Sequence, residues 1–136
     1  MILIADTNRV MAALIKDSVS RKIIFSDKFL LLTVELTKKE IEEHRSEILE
    51  KAHITETELD ALISILFSHI YVVEDRIIVS RFEEAKRIMD RIDPNDTAYI
   101  ALSLVVENDG VWSDDGDFQK QKAVKVWKTS DLVQQL

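Results

Sequence analysis

A chain of 136 residues, 46% hydrophobic and 32% charged, can bury a real core and reads as one globular domain over residues 1–136 rather than as a disordered segment. The absence of cysteine excludes disulfides, thiolate zinc sites and a cysteine nucleophile, and 2 glycines leave no material for a glycine-rich phosphate cradle. A net charge of −7 opposes a bulk electrostatic grip on nucleic acid, and no apolar run reaches the roughly 20 residues that cross a bilayer, so no membrane partner and a cytoplasmic location are expected.

In chain order, Ile2, Leu3, Ile4 and Ala5 form an apolar run of the length of a buried strand. Asp6, Thr7 and Asn8 are helix-capping types, and a helix over residues 10–15 follows. Ile23, Ile24 and Phe25 end a second short helix, and residues 29–34 read as a second buried strand. Thr37 with Glu40 three residues on has the capping-box spacing, opening a helix whose stripe is Ile41, Ile48, Leu49 and Ala52. Thr55 or Thr57 caps the next helix, in which Leu59, Leu62, Ile63, Leu66, Phe67 and Ile70 recur at helical spacing.

Tyr71, Val72 and Val73 make a short strand, and Ile77, Ile78 and Val79 suggest another. Phe82, Ala85, Ile88, Met89 and Ile92 mark a helix that Asp93 and Pro94 end. Asp96 heads a helix that is apolar nearly all round, from Ala98 through Val105 in sequence, which should therefore be central. After a turn at Asn108, Asp109 and Gly110, the strand Val111, Trp112, Ser113 runs into Asp114, Asp115, Gly116 and Asp117. Residues 124–127 form a last strand and residues 130–136 a closing helix. Short apolar strands alternating with helices imply an α/β sandwich with a mostly parallel sheet covered on both faces.

Ligands of such sheets bind beyond the carboxyl ends of the strands, where Asp6 and the Asp114, Asp115, Asp117 group stand. Residues 92–118 hold Asp93, Asp96, Glu107, Asp109, Asp114, Asp115 and Asp117 with no Lys or Arg, while both flanks carry basic residues. Carboxylates gathered in one place repel unless a cation neutralises them, and hard oxygen donors favour Mg²⁺ or Mn²⁺ over zinc. Each acid also has a plainer role: Asp6 and Asp96 as helix caps, the Asp114–117 turn and the Glu40, Glu42, Glu43 run as solvated surface, and His44 as an exposed side chain.

Taken in order, these segments resemble the PIN-domain superfamily: a strand into Asp6, Thr7, Asn8; Glu40 and Ile41 on a helix; Asp93, Pro94, Asn95, Asp96 before the Ala/Leu-rich helix; and Trp112, Ser113, Asp114, Asp115, Gly116, Asp117, Phe118. The resemblance implies a three-layer α/β/α sandwich and Mg²⁺- or Mn²⁺-dependent hydrolysis of RNA. Asp6, Glu40, Asp96 and Asp115 match the family's acidic quartet, Asp117 a frequent fifth member, and Asn8 and Ser113 its polar supporting positions. Helical register leaves Glu43 as an alternative to Glu40, and the spacing from Ser113 favours Asp115 over Asp114. Arg9, Lys16, Lys120 and Lys122 are candidates for holding the RNA backbone. Similar proteins are toxins paired with a small antitoxin protein, or act alone in RNA processing. Many form homodimers, for which residues 59–70 offer an apolar face. Two other classes fit the same acids: a non-catalytic PIN-like module that binds protein or RNA, and aspartyl phosphotransfer through Asp6.

Overall fold

The protein is described by a computed structural model covering residues 1–16 and 18–136. Strands β1 (Ile2–Ala5), β2 (Leu30–Val34), β3 (Ile70–Val73), β4 (Val111–Trp112) and β5 (Val126–Trp127) form one sheet in the order β3-β2-β1-β4-β5. Every neighbouring pair is parallel. Parallel neighbours require crossovers, and helices supply most of them. Helices α1 (Thr7–Ile15) and α2 (Ser18–Phe25) join β1 to β2, and α3 (Glu35–Glu43), α4 (Arg45–Ala52) and α5 (Glu56–Phe67) join β2 to β3. Next come α6 (Asp75–Ile78), α7 (Phe82–Met89) and α8 (Thr97–Val105) before β4. Helix α9 (Gly116–Gln119) precedes β5, and α10 (Thr129–Val133) follows it.

The two-residue period of the strands divides the core. Leu3 and Ala5 of β1 join Leu31 and Trp112 on one face, packed by Val10 and Leu14 of α1, Ile48 of α4, Leu59 of α5 and Leu132 of α10. Ile4 points to the other face, with Val34, Val111, Met89 of α7, Ile100 of α8 and Phe118 of α9. Two apolar faces explain why β1 is apolar at every position. The result is the expected three-layer α/β/α sandwich. Trp112 is fully buried and its indole N–H donates to Thr129 Oγ1 at 3.0 Å, so the largest core side chain leaves no orphan donor.

The order also sets where a site can form. Both β2 and β4 flank β1, yet the chain leaves β1 toward one layer (α1) and β4 toward the other (α9). The diverging connections open a crevice at the carboxyl ends of β1 and β4.

Several sequence expectations need correction. Thr37 does not open a helix: α3 starts at Glu35, and Thr37 lies inside it, buried, its hydroxyl near those of Thr33 and Tyr99. The capping box occurs instead at Thr55, where Thr55 Oγ1 accepts from Glu58 N and the Glu58 carboxylate from Thr55 N. The Ile41 to Ala52 stripe is shared by two helices that break at His44. Ile70 belongs to β3, not to α5. Ile77 and Ile78 lie in α6 and Val79 in the 3-10 turn after it (Val79–Arg81), not in a strand; the Glu35 carboxylate accepts the Asp75 amide at 2.6 Å in the first turn of α6, and only Ile78 of the three is buried. The face of α5 expected for a second copy is spent within the chain: Leu59 and Leu66 are fully buried and Leu62, Ile63 and Phe67 pack on the core. No helix among the described residues is long and apolar enough to cross a membrane.

Candidate metal centre

Asp6 follows β1 and is 4% exposed. It caps α1, accepting the Arg9 amide at 3.0 Å, and its other oxygen accepts the Ser113 hydroxyl. The capping role and a place at the site therefore coexist in one side chain. Ser113, just past β4, is fully buried and also accepts the Asp115 amide at 3.0 Å, so one hydroxyl fixes the relation between Asp6 and the turn that bears Asp115. Burial pushes the Asp6 carboxyl up to about 6, against the lowering effect of its bonds to Ser113 and Arg9.

The two adjacent aspartates separate cleanly. Asp114 turns away to pair with Arg9 at 2.8 Å and to accept both the amide and the hydroxyl of Thr129, each at 2.7 Å. Asp115 caps α9 through the Asp117 amide at 2.9 Å and lines the crevice. Arg9 is thus engaged by Asp114, and Lys120 lies 3.0 Å from Asp117, so two of the cations expected to track RNA are held by carboxylates.

Asp96 sits where a 3-10 turn (Pro94–Asp96) meets α8. It makes no side-chain capping bond, and its Oδ2 is buried without a hydrogen-bond partner. Burial first, and then the neighbouring charges of Asp93, Asp115, Asp6 and Asp117, push its carboxyl up to about 7. One oxygen each from Asp93, Asp96, Asp115 and Asp117 lies within 4.8 Å of the others. Asp6 and Glu40 border the same crevice, a cavity of about 140 Å³ that Asn8 also lines, without joining that group of four.

Glu40 faces the crevice from α3, whereas Glu43 is exposed and lines no part of it. The Glu40 carboxyl is raised by burial and partly restored by a hydrogen bond from Thr7. His44 Nδ1 is 2.8 Å from the Glu40 carbonyl, which can only accept, so the ring serves as a C-terminal cap of α3.

Sequence reasoning overlooked two participants. Asp93 reads as a helix terminator beside Pro94, yet its carboxylate joins the cluster while one oxygen caps the 3-10 turn through the Asn95 amide at 3.0 Å. Tyr99, read as part of an apolar helix, lines the crevice with its hydroxyl among those of Thr7 and Thr37.

An unpartnered, buried Asp96 oxygen amid other carboxylates fits a cation, and a donor set made only of oxygen fits a hard divalent one. A family model described as PIN domain matches residues 4–136 of the chain. A search of curated proteins finds no match.

Proposed function

The chain belongs to the PIN-domain family, whose members are generally metal-dependent nucleases, and from that premise we propose that it is an endoribonuclease using Mg²⁺ or Mn²⁺. One observation carries the reading: four aspartate oxygens lie within 4.8 Å of one another beside a buried Asp96 oxygen that has no partner in the protein. Asp96, Asp115, Asp117 and Asp93 would hold the ion. Asp6 and Glu40 would complete its surroundings directly or through water.

A divalent ion held by these carboxylates would supply acidification of water and charge neutralisation at a phosphate. The protein's own residues prepare the place. Ser113 holds Asp6 to the Asp115 turn, so that carboxylates from two strand ends face one crevice. Thr7, which lines the crevice beside Glu40, ties α1 to α3 through the Thr37 hydroxyl. Asn8, exposed and lining the crevice, would orient water or substrate oxygen.

The same reading includes RNA as substrate, a single PIN unit over residues 1–136, a cytoplasmic site of action, a second copy of the chain in solution, and a small antitoxin-like protein covering the crevice. Incubation of the purified protein with single-stranded RNA and Mg²⁺ or Mn²⁺ tests the central claim. Internal cleavage that EDTA and Asp96→Asn both abolish is the expected outcome. RNA that is bound but never cut, at any concentration of either ion, would instead identify a non-catalytic module.

A further inference from the structure

The four acid-bearing segments are far apart in sequence, and one side chain reaches most of them. Tyr99 stands one helical turn after Asp96 on α8 and is 2% exposed. Its hydroxyl accepts the backbone amide of Thr7 at 3.2 Å, next to Asp6, and is hydrogen-bonded to the Thr7 hydroxyl. It also bonds the Thr37 hydroxyl at 2.9 Å, one turn before Glu40 on α3. Its ring meets Phe118 edge-on, with centroids 6.2 Å apart, immediately after Asp117. Beyond Thr37 the chain of hydroxyls continues to Thr33 at 2.7 Å, which donates to the Ala5 carbonyl at 2.9 Å.

We propose that Tyr99 is a positioning residue for the metal centre: its hydroxyl fixes Thr7 and Thr37, and through them the relative placement of Asp6, Glu40 and Asp96. The inference rests on the metal-dependent reading above. Thr7 is the point of transmission, because its amide and its hydroxyl both meet Tyr99, its hydroxyl also reaches that of Thr37 at 3.4 Å, and it directly follows Asp6 in the chain. Buried hydroxyls that satisfy one another have few alternative arrangements, so removing one oxygen frees several partners at once. An apolar residue at position 99 would fill the same space without binding α1 to α3.

The test compares Tyr99→Phe, which retains the ring and its contact with Phe118, with Ile48→Ala. The latter destabilises the fold through a fully buried apolar residue that makes none of the hydroxyl contacts. Mn²⁺ binding is read directly from loss of the free-ion electron paramagnetic resonance signal, with unfolding temperature measured in parallel. Tyr99→Phe should weaken Mn²⁺ binding roughly 10- to 100-fold, the range seen when groups that orient ligands are lost. Ile48→Ala should lower the unfolding temperature and leave Mn²⁺ binding unchanged. Wild-type affinity in Tyr99→Phe, or an equal loss in Ile48→Ala, overturns the proposal. If the wild type binds Mn²⁺ but cuts no RNA, the nuclease reading alone fails and the Mn²⁺ comparison still decides the role of Tyr99. If the wild type binds no Mn²⁺, both fall.

Discussion

Ser113 and Asp6, 107 positions apart, share a hydrogen bond across the carboxyl ends of β4 and β1. The same Ser113 oxygen accepts the Asp115 amide, so the contact sets the geometry of two candidate ligands at once. Replacing Ser113 with alanine should weaken Mn²⁺ binding by roughly 10- to 100-fold while leaving the far-ultraviolet circular dichroism unchanged. Calorimetric titration with Mn²⁺ measures it, and an unaltered affinity would remove Ser113 from the account.

The paired aspartates make a sharper comparison. Asp115→Asn should abolish metal-dependent RNA cleavage with little effect on unfolding. Asp114→Asn should do the reverse, costing about 1–2 kcal/mol of stability through the weakened bonds to Arg9 and Thr129 while leaving the acidic cluster complete. Denaturant melts and cleavage assays on the two variants check both halves. An inactive Asp114→Asn beside an active Asp115→Asn would invert the assignment.

A similar contrast separates Glu40 from Glu43. Glu40→Gln alters a carboxylate on the crevice and should lower the cleavage rate. Glu43→Gln changes an exposed one and should leave the rate at the wild-type level. Equal rates for the two variants would remove Glu40 from the site.

The raised carboxyls of Asp6, about 6, and Asp96, about 7, set a direction with pH. A carboxyl that binds its proton more tightly when folded than at its ordinary 3.8 favours the fold at low pH. That contribution is complete below about pH 4 and disappears as the pH rises through 6 and 7. Without divalent ions, the wild type should therefore lose stability over this interval relative to Asp96→Asn. The stabilisation gained on adding Mn²⁺ should grow over the same interval, because the ion competes with those protons. Thermal melts at a series of pH values, with and without Mn²⁺, decide the matter. A Mn²⁺ effect that is flat with pH contradicts it.

Gly110 tests the sheet rather than the site. Its φ of 137° is accessible to glycine, and a Cβ there would lie 2.5 Å from the Lys125 carbonyl and 2.9 Å from the Trp127 ring. Gly110→Ala should cost about 2 kcal/mol or more by straining the β4–β5 pairing. Gly116→Ala, with nothing within 4 Å of its Cβ, should be nearly neutral. Equal denaturation midpoints for the two variants would contradict this.

The sheet was legible because Ile2, Leu3, Ile4 and Ala5 must be buried on both faces, and continuous apolarity announces that. The acids at strand ends were legible for a related reason, since a charge terminating a buried strand can only lie at its rim. What escaped depends on contacts without sequence periodicity. Thr37 has the composition of a cap, and only the packing of α3 against α8 shows that its hydroxyl turns inward to Tyr99. Asp93 beside a proline satisfies every rule for a helix end, and it does cap a turn. Its second role is visible only when Asp115 and Asp117 arrive from elsewhere. Ile77 to Val79 have β-branched side chains, and their helical conformation follows from tertiary context, in which Ile78 alone of the three is buried.

The pairing of β1 with β4 joins residues near the beginning of the chain to Val111 and Trp112. Synthesis proceeds from the N-terminus, so Asp6 and Glu40 emerge long before the aspartates that complete their crevice. A growing chain accordingly holds no finished centre until Asp117 has been added and the fourth strand has docked. What the assembled crevice does is therefore beyond any growing chain that has not yet reached Asp117.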